Sequence, residues 1–195
     1  LHPAMQGVTE YESLFAHQQE ALEAAKNGQH VLVSTGTGSG KTEAFLYPIL
    51  DHCLRLRDAE APAGVTAVLM YPMNALAGDQ RDRLRGMLAG SGITFGMYVG
   101  STPYRTEDAG VVRLPEGTGR DGYEKARNRR SADIVTPWEE CVSEAEIGER
   151  KPRILITNAN QLELLLTRGK DLGLFTDAPL RFMVLDEAHT YSGAE

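Results

Sequence analysis

VLVSTGTGSGKTEAF, residues 31–45, passes from an apolar run through a glycine-studded loop into a segment of helix formers. Gly36, Gly38 and Gly40 let the backbone curl and aim its N–H groups at one point, and the start of a helix adds its dipole to the same place. Such a turn suits a polyphosphate, with Thr37, Gly38, Ser39 and Gly40 as the cradle. Lys41 can reach phosphate oxygens, and the Thr42 hydroxyl can ligate magnesium. Against the pattern GxxxxGK[ST], Thr35 stands where the first glycine is expected. A glycine turn with an incidental lysine is the competing reading; a strand before it and a helix after it argue against that.

Outward from this loop, short apolar runs alternate with segments of helical length. Strands are expected at 30–34, 66–71, 93–100, 153–157 and 182–185, each a near-continuous apolar run as in strands covered on both faces. Helices are expected at 16–27, 41–57, 73–89 and 158–168, the first stopping at Asn27-Gly28. The alternation implies an α/β fold, a doubly wound, mostly parallel sheet with helices on both faces. Residues 104–150 break the rhythm: polar and glycine-bearing, they read as a long insertion, functional or partly disordered. A helical patch at 136–148 would dock Trp138, Val142 and Ile147 on the sheet.

The last strand runs into FMVLDEAHTYSGAE, residues 182–195. A carboxylate at the end of a buried strand, beside a phosphate loop, can hold Mg²⁺, which takes one or two carboxylates plus phosphate oxygens. Asp186 is the candidate for that task, and Glu187 for orienting and deprotonating an attacking water. Together with Lys41 they make a candidate catalytic set; Thr42 and Asp186 are the candidate metal ligands.

Composition sets bounds. The 195 residues are 42% hydrophobic and 24% charged with net charge −7, so a globular domain is expected and a wholly basic nucleic-acid binder is not. Basic clusters at 81–85, 125–130 and 150–153 each read alone as a solvated face. Cys53 and Cys141 are far apart and form no CxxC, which favours a reducing, cytoplasmic setting. No apolar run approaches the ~20 residues of a membrane span, so no membrane partner is expected. The chain opens on Leu1 and stops just past the acidic motif, so it is expected to be a piece of a longer polypeptide.

Taken together, these motifs resemble the first RecA-like motor domain of superfamily 2 DEAH-box helicases. TGSGKT (37–42) is similar to that family's P-loop, with its relaxed first position, and DEAH (186–189) is the namesake motif. LFAHQQEAL (14–22) resembles the Q motif, which implies Gln18 as the adenine reader, its carboxamide able to donate and accept; Phe15 would pack on the base or in the core. The resemblance makes His189 the link between nucleotide and nucleic acid. YPMNALAGDQRDRL (71–84) resembles motif Ia, with Asn74 and Arg81 as candidate strand contacts. YVGST (98–102) resembles a glycine-bearing loop presenting Gly100 and Ser101, and LITNANQLELLLTR (155–168) one presenting Thr157 and Asn158. Helix capping is the competing role for both asparagines.

What the resemblance implies is a RecA-like P-loop NTPase fold using ATP and Mg²⁺, in an ATP-dependent DNA helicase or translocase. It implies one ATP-binding domain over residues 1–195 with a polar insertion at about 104–150, a second RecA-like domain lying outside this chain, and near-inactivity of the piece alone. Expected partners are DNA, single-stranded or duplex, with RNA left open, the second RecA-like domain of the same chain, and a protein partner through the insertion. YPMNALAGDQ, TNANQLELLLTR and DEAHTYSG resemble the branch holding the mitomycin-repair helicases and the helicase subunit of the DISARM phage-defence system. Two alternatives stand beside a helicase: a duplex translocase of a restriction or phage-defence complex, and a nucleic-acid-dependent ATPase acting as a switch or clamp.

Overall fold

The computed structural model describes residues 1–8, 13–34, 40–130 and 133–191. The chain divides into two compact units, Leu1–Ala61 and Pro62–Glu195.

In the first unit, α1 (Ala16–Lys26) starts where Phe15 is extended and the Gln18 side chain reaches back to the Phe15 N–H, at 3.0 Å. It stops at Asn27, before Gly28 in a left-handed conformation. α2 (Lys41–Asp58) packs against α1 and buries Leu46, Ile49, Leu50 and Leu54. The His2 ring pairs with Asp58 at 2.8 Å, and the His2 N–H is held by Asp51, tying the N-terminal turn to α2.

Residues 30–34, expected as a strand, form none. Leu32 is 86% exposed. An apolar run becomes a strand only where a neighbour receives its backbone hydrogen bonds, and among the described residues no strand pairs with this one.

The second unit runs β1 (Ala67–Met70), α3 (Asn74–Leu88), β2 (Phe95–Tyr98), β3 (Val111–Arg113), α4 (Arg120–Arg129), β4 (Ile134–Thr136), β5 (Glu140–Cys141), α5 (Glu144–Arg150), β6 (Ile154–Thr157), α6 (Ala159–Thr167), α7 (Gly173–Thr176) and β7 (Phe182–Leu185). The main sheet has the order β5-β2-β6-β1-β7, with every pairing parallel. Central strands β1 and β6 are buried at every position, as their unbroken apolar sequence requires. Val68, Met70, Leu155 and Tyr98 pack with Ile147 of α5, Leu162 and Leu165 of α6 and Leu174 of α7. Leu69, Ile154 and Ile156 alternate with them and so face the other way. There α3, with Leu84 and Leu88 fully buried, lies against β2 and β6. Each such leucine or isoleucine contributes about 1.5–3 kcal/mol by leaving water.

β7 departs from the expectation of a strand buried on both faces. Among the described residues it is an edge strand paired with β1 alone, and Met183 and Leu185 are 50% and 46% exposed. Among the described residues, no helix is long and apolar enough to cross a membrane.

Among the described residues, the insertion at 104–150 carries its own elements rather than a long loop. β3 and β4 form a parallel two-stranded sheet, against which α4 packs, burying Tyr123 with Val135 and Ala89. β5 joins the edge of the main sheet beside β2. Gly96 makes that approach possible, since a Cβ there would stand 3.0 Å from Ile147 and 3.3 Å from Cys141. The helix expected at 136–148 begins only at Glu144, capped by the Ser143 hydroxyl accepting from the Glu146 N–H. Ile147 and Val142 are buried as expected, whereas Trp138 stays partly exposed, with the Arg113 and Arg150 guanidinium groups over its ring.

Buried charge pairs explain why so polar a segment folds. Arg85 of α3 donates twice to Glu140, at 2.6 and 2.8 Å, with both side chains buried. Burial opposes the Arg85 charge, but the Glu140 carboxylate outweighs it and holds the guanidinium above its ordinary pKa. Arg113 binds Glu146, which also accepts from the Val142 N–H at 2.9 Å. Burial works against the Glu146 charge, but these donors prevail and hold its carboxyl below the ordinary value.

Arg85→Met should therefore destabilise the fold by about 3–5 kcal/mol, because it strands Glu140 as a buried unpaired charge, as measured by urea denaturation. A depressed folded pKa adds stability that is present above the unfolded value and lost as pH falls through the folded one. The gap in melting temperature between the parent and Glu146→Gln should accordingly be full at pH 7 and close as pH drops below 4.5, the ordinary value.

Candidate functional site

On the nucleotide side, Gly40 caps α2 with φ +79°, and a Cβ there would meet the Gln18 amide nitrogen at 2.5 Å. The left-handed backbone favours glycine there, and a Cβ would push the Gln18 amide aside. The Gln18 amide donates to the Gly40 carbonyl at 3.0 Å while its oxygen accepts from the Phe15 N–H. Gln18 is therefore buried and clasps the end of the phosphate loop to the start of α1. Phe15, one residue before α1, is 62% exposed, its ring stacked on His17 at 5.9 Å, rather than packed in the core. Lys41 and Thr42 occupy the first turn of α2, partly exposed, where helix amides and dipole favour an anion. Thr37, Gly38 and Ser39 lie outside the described residues.

On the acidic side, Asp186 follows β7 directly, its N–H donating to the Met70 carbonyl at 3.0 Å. Glu187 stands at φ +50°, a left-handed conformation that costs a non-glycine residue about 1–3 kcal/mol. Local bonds hold it there: its N–H donates to Asp186 Oδ1 at 3.0 Å, and its carbonyl accepts the Thr190 N–H and hydroxyl, each at 2.8 Å. His189 Nδ1 lies 3.5 Å from the Glu187 carboxylate. Asp186, Glu187 and His189 thus share one tight, solvent-facing turn.

On the strand side, Asn158 caps α6, its Oδ1 accepting from the Gln161 N–H at 2.9 Å, and its amide donates to Asn74 Oδ1 at 3.1 Å. Capping and a shared polar surface are both present, and the two asparagines join the ends of β1 and β6. Asn74 is the first helical residue of α3, with Met73 at the cap. Gly100 and Ser101 are exposed in a turn fixed by Thr102, whose hydroxyl accepts from the Val99 N–H and donates to the Met97 carbonyl, both at 2.9 Å. Thr157 faces inward: fully buried, it donates to the Tyr98 carbonyl at 2.7 Å and braces β6 against β2. Arg81 pairs with the exposed Asp82 at 3.0 Å.

Two further residues belong to the acidic turn's surroundings. Tyr71 and Tyr191 hold buried hydroxyls without a partner among the described residues. Their sequence signal, an aromatic next to each motif, is too common to single out.

The profile of the DEAD/DEAH box helicase family matches residues 15–116, just over half of the chain. Druantia protein DruE of Escherichia coli is 29% identical over 266 residues, covering 96% of this chain and 14% of its own length. The ATP-dependent helicase hrq1 of Schizosaccharomyces pombe is 26% identical, covering 93% of this chain and 13% of its own. The chain therefore spans a small part of the relatives it matches. A crystal structure of the DUF1998 helicase MrfA bound to DNA superposes with TM-score 0.64 at 23% identity, over 98% of this chain and 20% of that one, and shares its fold. On these grounds the chain belongs to the DEAD/DEAH box helicase family.

Proposed function

We propose that this chain is the first motor domain of an ATP-dependent DNA helicase or translocase, residues 1–195 forming one RecA-like domain that binds Mg-ATP and one nucleic-acid strand. The observation that carries this reading is the acidic turn, where the candidate base sits in a strained conformation directly after the Asp186 strand, in a member of this family. The Asp186 carboxylate suits magnesium: its Oδ1 is engaged by the Glu187 N–H, which leaves Oδ2 for a hard cation that also takes phosphate oxygens.

In this reading Lys41 and the first amides of α2 bind the β- and γ-phosphates. Gln18 holds the loop end at Gly40 and turns toward adenine on binding. Magnesium, when bound, would offset the charge that develops on the transferring phosphoryl group. Glu187 orients water in line with the γ-phosphorus and takes its proton. Asn74, Asn158, Gly100 and Ser101 contact the strand backbone, with Arg81 released from Asp82, and His189 relays between the two sides. The partners proposed are DNA, the second RecA-like domain and, through the insertion, another protein; the setting proposed is the cytoplasm.

In the full-length protein, Lys41→Ala should weaken ATP binding, and Glu187→Gln should keep binding while lowering strand-stimulated turnover by a factor on the order of 10³ or more, as one transition-state contact of several kcal/mol is lost. Parental turnover by either variant would overturn the reading, and displacement of a triplex strand without separation of a duplex would assign a translocase. Glu187→Gly should relieve the left-handed backbone and raise stability by about 1 kcal/mol while abolishing turnover, separating fold from function at a single position.

A further inference from the structure

Tyr71 is 0% exposed, and its hydroxyl has no hydrogen-bond partner among the described residues. A buried hydroxyl left in that state costs about 1–3 kcal/mol, and phenylalanine would fill the same space without it. Its surroundings indicate what the hydroxyl is for. The Tyr71 N–H donates to the Thr157 carbonyl, and the Met70 carbonyl before it accepts from the Asp186 N–H, both at 3.0 Å. Met70 pairs with Leu185, so the next step of the ladder sets Tyr71 across from Asp186, and register partners in a parallel pair send their side chains to one face.

A second unpartnered hydroxyl belongs to Tyr191, in the turn that follows Asp186; its ring packs on the core that holds Val68 and Met70. Burial, and after it the Asp186 carboxylate, hold both phenols protonated, above their ordinary pKa.

Resting on the Mg-ATP reading above, we propose that Tyr71 is a positioning residue of that site: when magnesium binds, its hydroxyl, unpartnered in this structure among the described residues, takes up a hydrogen bond to the Asp186 carboxylate and holds it in the orientation that ligates the metal. The placement also links the two sides of the domain, because Tyr71 lies three residues before Asn74 on the strand that ends in the strand-contacting loop. A shift of that loop would move the donor that orients the metal ligand.

The test uses the full-length protein, with Mn²⁺ binding measured by electron paramagnetic resonance in the presence of a non-hydrolysable ATP analogue. Tyr71→Phe should weaken Mn²⁺ binding about tenfold, as loss of a hydrogen bond to a metal ligand does. Its melting temperature should stay the same or rise, and strand-stimulated kcat should fall while KM for ATP holds. Parental Mn²⁺ affinity in Tyr71→Phe, or a loss of affinity matched by a lowered melting temperature, would overturn the proposal. Lys41→Ala, run alongside, distinguishes the two failures: if it abolishes turnover while Tyr71→Phe binds Mn²⁺ as the parent does, the ATP site stands and only the role of Tyr71 falls.

Discussion

Parallel pairing brings the carboxyl ends of β1, β2, β6 and β7 to one edge of the sheet, and what the second unit offers chemically depends on that. The loops opening there carry Tyr71 to Asn74, Gly100 and Ser101, Asn158, and the acidic turn from Asp186. In open α/β sheets this edge is where ligands bind. The physical requirement behind it is modest: four short strands in register, two of them apolar enough to be buried on both faces. A slip of one residue in β7 would turn Asp186 to the opposite face and part it from Tyr71.

Strain and satisfaction are divided unevenly along this edge. Asn158, Thr102 and Thr157 spend their polar atoms on bracing the loops and strands, as ordinary buried and capping groups do. Glu187 is held at positive φ, and Tyr71 and Tyr191 hold hydroxyls without a partner among the described residues. Strained backbone and unpartnered polar atoms also occur elsewhere, at Glu60, Lys151 and Thr136 among others, so it is their place beside the acidic turn that gives these three interest.

Much of this was legible in the sequence, for identifiable reasons. The helices at 16–26, 41–58, 74–88 and 159–167 each carry a clear start or stop, such as Asn27-Gly28 or the Asn158 cap, and fell within a residue or so of expectation. The apolar runs at 67–70 and 154–157 are buried on both faces, as unbroken hydrophobicity implies. Residues 30–34 share that pattern and still form no strand, because periodicity reports a preference and cannot supply a partner. The insertion misled in the opposite direction. Its charges looked solvated, yet Arg85–Glu140 and Arg113–Glu146 bury them in pairs whose members are 55 and 33 residues apart, which no local pattern reveals. Gln18 was found by motif, but its bond to the Gly40 carbonyl, and the exposure of Phe15, belong to three dimensions.

The proposed nucleotide site draws on Lys41, Thr42, Asp186 and Glu187. Hydrogen exchange of the full-length protein, with and without Mg²⁺ and a non-hydrolysable ATP analogue, tests that composite most directly. Slowed exchange is expected together in the first turn of α2 and in residues 186–191, and both effects should vanish when magnesium is withheld. Protection of α2 alone, with the acidic turn exchanging at its unliganded rate, would contradict a shared site.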